Sequence, residues 1–280
     1  MNKSKKSIFL VLGMTVSTGS FADIKITSPN GSEVVFSHKK QGDNFDPNAW
    51  GKIYFIHGAQ RLDLSRDDRY YTEDGSSKVS PSGEYLKITS IAGDYVAMDD
   101  GTKKYTDRAY CSVIDMNSGC VVSDWDGEAC GYDWEKGKDV LSESPDGHGD
   151  KFYFLSFRPK MNESIDPLSS YNLYDVNNLL RCDAPNNKNI NEYQKLMKEN
   201  PISKKNVSVE IVNYLNSLKI SLTLDSKTPL YTSPSDNDKK KGYLIPGDKV
   251  KIIQVTPDKK WANVGYINAK GEPLIIWIKK

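Results

Sequence analysis

Along the first half of the chain, short strand-like runs of largely apolar residues alternate with turn-forming residues. Ile24-Lys25-Ile26 precedes Ser28-Pro29-Asn30-Gly31. Glu33-Val34-Val35-Phe36, Lys52-Ile53-Tyr54-Phe55-Ile56 and Glu84-Tyr85-Leu86-Lys87-Ile88 follow, and Tyr95-Val96-Ala97-Met98 ends at Asp99-Asp100-Gly101. Regular short strands punctuated by Gly, Pro, Asn and Asp predict an antiparallel all-β domain. Its clearest hairpin joins a strand over 110–116 to one over 120–122 through Asn117-Ser118-Gly119, residues that tolerate positive φ. A final strand, aromatic on one face, is expected over 151–157. The period then changes. Tyr171, Leu173, Tyr174, Val176, Leu179 and Leu180 fall at helical spacing after an early Pro167, and Cys182 ends that helix. Ile190, Tyr193, Leu196 and Met197 repeat the stripe until Asn200-Pro201 stops it. Residues 207–218 fit helix or strand equally.

From residue 222 onward five or six short strands with tight turns fill the remainder. The order Leu230-Tyr231-x-x-Pro234, the turn Gly242-Tyr243-Leu244-Ile245-Pro246-Gly247-Asp248, the strand Trp261-x-x-Val264 and the closing Trp277-Ile278-Lys279 resemble the bacterial SH3 (SH3b) family of small exported β-barrels. The resemblance covers residues 222–280. It implies a binding module for cell-wall peptides or protein segments, with Tyr231, Tyr243, Trp261, Tyr266 and Trp277 as the aromatic candidates for a groove. It brings no activity, because the Cys and His of the peptidases often fused to such modules are missing. Two N-terminal pieces, residues 80–86 and 113–119, are weakly similar to β-propeller blades. Ser82-Gly83-Glu84-Tyr85 is one residue short of the S-G-x-x-Y loop of periplasmic lysozyme inhibitors, so that family's residues are not carried over. The expected fold class is therefore mainly β: an antiparallel β-rich domain over 23–159 (a sandwich or incomplete propeller), a short helical connector over 160–221 and an SH3-like β-barrel over 222–280.

Residues 1–22 change the compartment. Lys3, Lys5 and Lys6, an apolar run from Ile8 to Val16 and the small residues before Asp23 read as an export signal cut after Ala22. A periplasmic or secreted protein is expected, and no later stretch approaches the roughly 18–20 apolar residues of a membrane span. The four cysteines, Cys111, Cys120, Cys130 and Cys182, then fall where oxidation is permitted. With Asn117-Ser118 at the hairpin tip, Cys111 faces Asp124 and Cys120 faces Asp115. That separation exceeds what a disulfide spans. The expected pairs are Cys120 with Cys130 and Cys111 with Cys182, so that Cys182 forms a long-range staple. Their spacing contains no C-x-x-C, so neither zinc nor any other metal site is expected.

The charge is unevenly spread. Residues 23–185 carry 18 basic and 28 acidic side chains, net −10, whereas residues 222–280 carry 11 Lys and 6 acids, net +5. The acidic part would steer a basic partner. An exported, mildly basic terminus with no grooved helix or zinc motif points away from nucleic acid. Catalytic residues are not apparent. His38, His57 and His148 stand in no spacing that forces chemistry, and Asp124-Trp125-Asp126-Gly127-Glu128 lacks the later ligands of a calcium loop. The sequence thus predicts a cofactor-free, non-catalytic periplasmic binding protein. Its most specific reading is an inhibitor or immunity-type protein that neutralises a secreted or periplasmic effector enzyme; the alternative is a peptidoglycan-peptide binder using the SH3-like domain.

Overall fold

The computed structural model describes residues 23–280 except 43, 44, 46, 74, 127 and 164–166; the expected export signal lies outside the described residues. Among the described residues the chain is mainly β, with three antiparallel sheets and three α-helices.

The first sheet contains β1 (Ile24–Thr27), β2 (Glu33–Lys39), β3 (Ala49–His57), β4 (Gln60–Asp63), β5 (Tyr70–Thr72), β6 (Lys78–Val79), β7 (Tyr85–Ala97), β8 (Lys103–Asp115) and β9 (Val121–Asp126). Its main path runs β1-β2-β3-β5-β7-β8-β9, with β4 added to β3 and β6 to β7. Val34 and Phe36 of β2, Ile53 and Phe55 of β3, Leu86 and Ile88 of β7 and Ile114 of β8 share one buried core. Strands distant in the path can meet this way only if the sheet curls. The curl is fastened by Ser28 Oγ, which donates to the Gly83 carbonyl, and by Asn30 Nδ2, which donates to the Met116 carbonyl at 3.0 Å. The expected antiparallel β-rich domain thus has nine of its strands in one continuous curled sheet. The β8–β9 turn is as expected, with Gly119 at φ 70° and its Cα so close to Phe55 that a Cβ would fall 2.8 Å from the ring.

The second sheet is small: β10 (Asp133–Trp134), β11 (Leu141–Ser142) and β12 (Lys151–Phe152). The strand expected over 151–157 is corrected here. After β12 the chain turns into a 3-10 segment, Phe154–Phe157, because the aromatics at 152, 154 and 157 fall out of period two beyond residue 154. The Ser156 N–H and hydroxyl both donate to the Tyr153 carbonyl and fix that turn. Phe154 is driven into a cluster with Tyr85 and Trp134, while Phe157 stays at the surface.

Helices α1 (Leu173–Cys182), α2 (Ile190–Glu199) and α3 (Lys204–Ser217) form the connector, and the ambiguous segment is therefore helical. Asn172 caps α1 by accepting from Asp175 N at 2.9 Å. Beyond them β13 (Ser221–Thr223), β14 (Thr228–Tyr231), β15 (Lys239–Leu244), β16 (Lys249–Val255), β17 (Trp261–Ile267) and β18 (Pro273–Lys279) make the third sheet, ordered β13-β16-β17-β18-β14-β15. It is not a closed barrel: β13 and β15 remain as ends. Its one face holds Val250, Val264, Ile276 and Ile278, and the other receives the helices. Gly265 leaves the space that Leu215 of α3 fills, since a Cβ there would meet Leu215 Cδ2 at 2.1 Å.

The connector is bound to both flanking sheets by the same device. Asn178 of α1 accepts from Val121 N at 2.8 Å and donates to Val121 O at 2.9 Å, acting as a one-residue extra strand on β9. Gln194 of α2 does this to Ile275 of β18, donating at 2.8 Å and accepting at 2.5 Å. Buried backbone groups at a strand edge need such partners.

The disulfide pairing differs from expectation. Cys111 pairs with Cys130 and Cys120 with Cys182, at Cα separations of 5.1 and 4.9 Å. Cys111 does lie far from Cys120, opposite Trp125 across the β8–β9 ladder. What reverses the choice is the route of the chain. The turn at Glu128–Gly131 returns over β8 to Cys111, while α1 crosses the start of β9 and presents its end to Cys120. Arg158 seals this corner, donating to Asp115 Oδ2 at 2.9 Å and to the Cys182 carbonyl at 3.1 Å.

Candidate binding surfaces

The five aromatic candidates of the third sheet do not form one groove. Tyr231 and Trp261 are buried against each other edge to face, with centroids 4.8 Å apart. Half-buried Trp277 lies opposite Tyr231 in the β14–β18 pairing, and Lys279 Nζ sits 5.5 Å from the Trp261 centroid. Those three share a patch. Tyr266 instead packs at the margin of the inner core and donates to Asp248 Oδ1 at 3.2 Å; desolvation and that carboxylate raise its pKa. Tyr243 is 52% exposed on β15, with Lys227 Nζ 3.7 Å from its ring centroid.

A larger aromatic surface lies beside β9. Trp125, Phe152 and Phe157 contact one another at centroid distances of 5.1 to 5.3 Å, and Tyr153 and Leu155 stand exposed next to them. Behind Trp125 a cavity of about 270 Å³ is bounded by Arg66, Asp124, Phe157 and Tyr174. Asp124 is the centre of a polar network: it accepts from Arg69 Nη1 at 2.7 Å and Ser112 Oγ at 2.9 Å, with Arg66 Nη1 at 3.8 Å. Arg69 is itself stacked 3.6 Å from the Tyr110 ring. Burial, reinforced by Asp124, pushes the Tyr174 hydroxyl up to about 12.

The most prominent feature is a two-stranded ribbon. β7 and β8 pair from Tyr85↔Asp115 to Ala97↔Lys103, but β5 stops at Ile91 and β9 at Tyr110. Residues 92–109 therefore extend beyond the ladder partners of the sheet, a reach of roughly 20 Å at about 3.4 Å per residue, and at their base Gly93, Asp94, Tyr95 and Tyr105 bound a cavity shared with Phe45 and Tyr70. Tyr95, Val96 and Met98 are 51%, 50% and 44% exposed. An isolated hairpin is marginal in water, so it needs its own fastening. Tyr95 and Tyr105 pack edge to face at 5.4 Å. Tyr105 lies across Gly93, where a Cβ would come within 1.9 Å of its hydroxyl oxygen. Arg108 pairs with Asp126 at 2.8 Å at the root, and Asp100 accepts from Thr102 Oγ1 and N at the tip, which lowers its pKa. Sequence reading took Tyr95-Val96-Ala97-Met98 for an ordinary short strand. The signal available was a strand pattern running through Asp99-Asp100-Gly101 on both sides with no apolar alternation to bury.

Asp124 and Asp126, weighed above as calcium ligands, lie on β9 and are held by arginines. Among the described residues no group of three or more His, Cys, Asp or Glu could hold a metal ion. His57 meets Ser32 Oγ at 2.7 Å, and His148 lies in the exposed loop between β11 and β12. No helix among the described residues is long and apolar enough to cross a membrane. Compared with known proteins, the chain matches no family model and no curated protein.

Proposed function

We propose that this is a binding protein that presents the β7–β8 ribbon to a protein target, as an inhibitor or immunity-type protein against an enzyme acting in the periplasm or outside the cell. The observation that carries the reading is the ribbon that extends beyond its neighbouring strands with Val96 and Met98 exposed near its end, since flexible apolar side chains on a projecting element are what interface cores use. The two disulfides and the export signal read from residues 1–22 support the compartment. The net −10 of residues 23–185 supports a basic target. The cell-wall alternative draws on Trp277 and Tyr243, with Tyr231 and Trp261 taken up in packing.

The test is affinity capture by the oxidised mature protein from periplasmic and cell-wall extracts, with mass spectrometry of what is retained. A parallel capture uses a variant in which residues 94–106 are replaced by Asn-Gly. One enzyme held at near-equal stoichiometry by the intact protein and lost from the variant is the expected result. Equal retention by both removes the ribbon from the reading. Sedimentation with purified peptidoglycan and no protein partner transfers the function to the third sheet.

A further inference from the structure

A cavity of about 510 Å³ lies where the β4 hairpin faces helices α1 and α3. Its charged wall consists of Arg61, Asp63, Arg181, Lys205 and Glu210, with Leu62 and Leu180 as apolar floor. The two acids are engaged from the side: Lys52 Nζ is 3.8 Å from Asp63, and Asn213 Nδ2 donates to Glu210 at 3.4 Å. The three cations have no such partner. Among the described residues none of them lies within 4.0 Å of a carboxylate oxygen, the ion-pair limit. Arg61 stacks 3.9 Å from the Tyr54 ring, and Lys205 stands exposed.

Arg181 is the decisive member. Its Nη2 makes one long contact, 3.4 Å to Asn178 Oδ1, and its Nε–H is buried with no acceptor. Burial lowers its pKa, while Tyr174 and Asp63 act in the opposite sense, Asp63 from beyond ion-pair distance. A guanidinium withdrawn from water with no carboxylate in ion-pair contact is unfavourable, and it becomes favourable when an anion completes it. The planar fork is matched to two oxygens of a carboxylate or phosphate. The volume suits a small molecule, and Leu62 and Leu180 suit an apolar portion.

We propose that this cavity binds a small organic anion, whose carboxylate or phosphate is held by Arg181 while Arg61 and Lys205 supply the surrounding positive field. It is separate from the ribbon, so either site can fail alone. The test uses the mature oxidised protein, titrated with N-acetyl-leucine, N-acetyl-leucine amide and inorganic phosphate. Calorimetry reads affinity, and NMR reads the arginine Nε–H resonances. Saturable binding of N-acetyl-leucine or of phosphate is expected, with a moved Arg181 Nε–H signal and no binding of the amide. Which anion binds assigns the head group.

Arg181→Gln should weaken binding about tenfold or more, as loss of a charge-assisted pair does. Because that change also touches Asn178, Lys205→Gln serves as the exposed second variant: it should weaken binding several-fold at low salt and less at high salt. The proposal is overturned if neither anion saturates, if the amide binds as well as the acid, or if both variants bind like the parent.

Discussion

Replacing Asn178 by Ala tests whether a helix side chain substitutes for a missing strand. Asn178 and Val121 are both buried, and the two hydrogen bonds between them, 2.8 and 2.9 Å, satisfy the outward N–H and C=O of an edge residue. Truncation leaves both groups unmet. Each buried orphan costs about 1–3 kcal/mol. The neighbouring cavity, which Val121 and Asn178 line, admits water and draws the sum toward its lower end. Ala in place of Asn also favours the helix by about 0.5 kcal/mol. The net expectation is a loss of about 2–3 kcal/mol, or about 4–10 °C in Tm for a chain this long. Asn177→Ala is the control one residue away: it removes a single contact, Asn206 Nδ2 to Asn177 Oδ1 at 2.7 Å, and should change stability by under about 1 kcal/mol. Asn178→Asp should behave like the Ala variant, because an oxygen would then face the Val121 carbonyl. Equilibrium urea unfolding with intact disulfides measures the energies, and hydrogen exchange at the Val121 amide gives the local readout. If Asn178→Ala stays within about 0.5 kcal/mol of the parent and Val121 keeps its protection, the edge-covering role is refuted.

Four further outcomes are expected. Gly93→Val should drive Tyr105 off the ribbon and abolish the Tyr95–Tyr105 contact seen by aromatic NOEs, while overall stability changes by less than about 1 kcal/mol. Gln194→Ala should cost about 1–3 kcal/mol in urea unfolding by exposing the backbone of Ile275. The ion pair with Lys151 at 2.7 Å, with help from Lys138, lowers the pKa of Glu135; its stabilisation is present above the ordinary glutamate value of 4.5 and is lost as pH falls through the lower folded value. Acid should therefore loosen the 135–150 loop, read by NMR at Gly147, and Lys151→Gln should shift that loosening to higher pH. Peptide mapping without reduction should return Cys111–Cys130 and Cys120–Cys182; with sequence separations of 19 and 62, loss of the first should cost about 3 kcal/mol and of the second about 4 kcal/mol.

Local rules carried far in this chain, and non-local ones did not. β1, β2 and β3, the β8–β9 turn and the stop of α2 at Asn200 all follow from period and turn chemistry within a few residues. The disulfide partners depend on where Glu128–Gly131 and α1 return in space, which no spacing encodes. Residues 151–157 are rich in aromatics, as strands are, but their aromatics change phase after Phe154, and the strand ends at Phe152. Buried Asn was also hidden: Asn189 looks like part of a polar break, yet it is 1% exposed and donates to the Asp183 and Ala184 carbonyls. The aromatic candidates were chosen by residue type, and type cannot separate Tyr231, which is packed, from Tyr243, which is exposed.

The handling of strand edges bears on where binding is placed. An open edge invites pairing with another chain, and proteins guard it with a cover or with charge, Lys above all. Here Asn178 and Gln194 cover β9 and β18 from the connector. The end strand β15 begins Lys239-Lys240-Lys241, all exposed. Part of the positive charge of the C-terminal region thus has a protective role, independent of any ligand. The ribbon departs from this pattern: Lys103 and Lys104 stand on one strand, opposite Ala97 and Val96, while Val96 and Met98 are exposed. Exposed apolar area on a narrow projecting element lowers solubility and contributes little to the core, and such area is what a contact surface requires, so the proposed interface is better sited on the ribbon than on the packed aromatics of the third sheet.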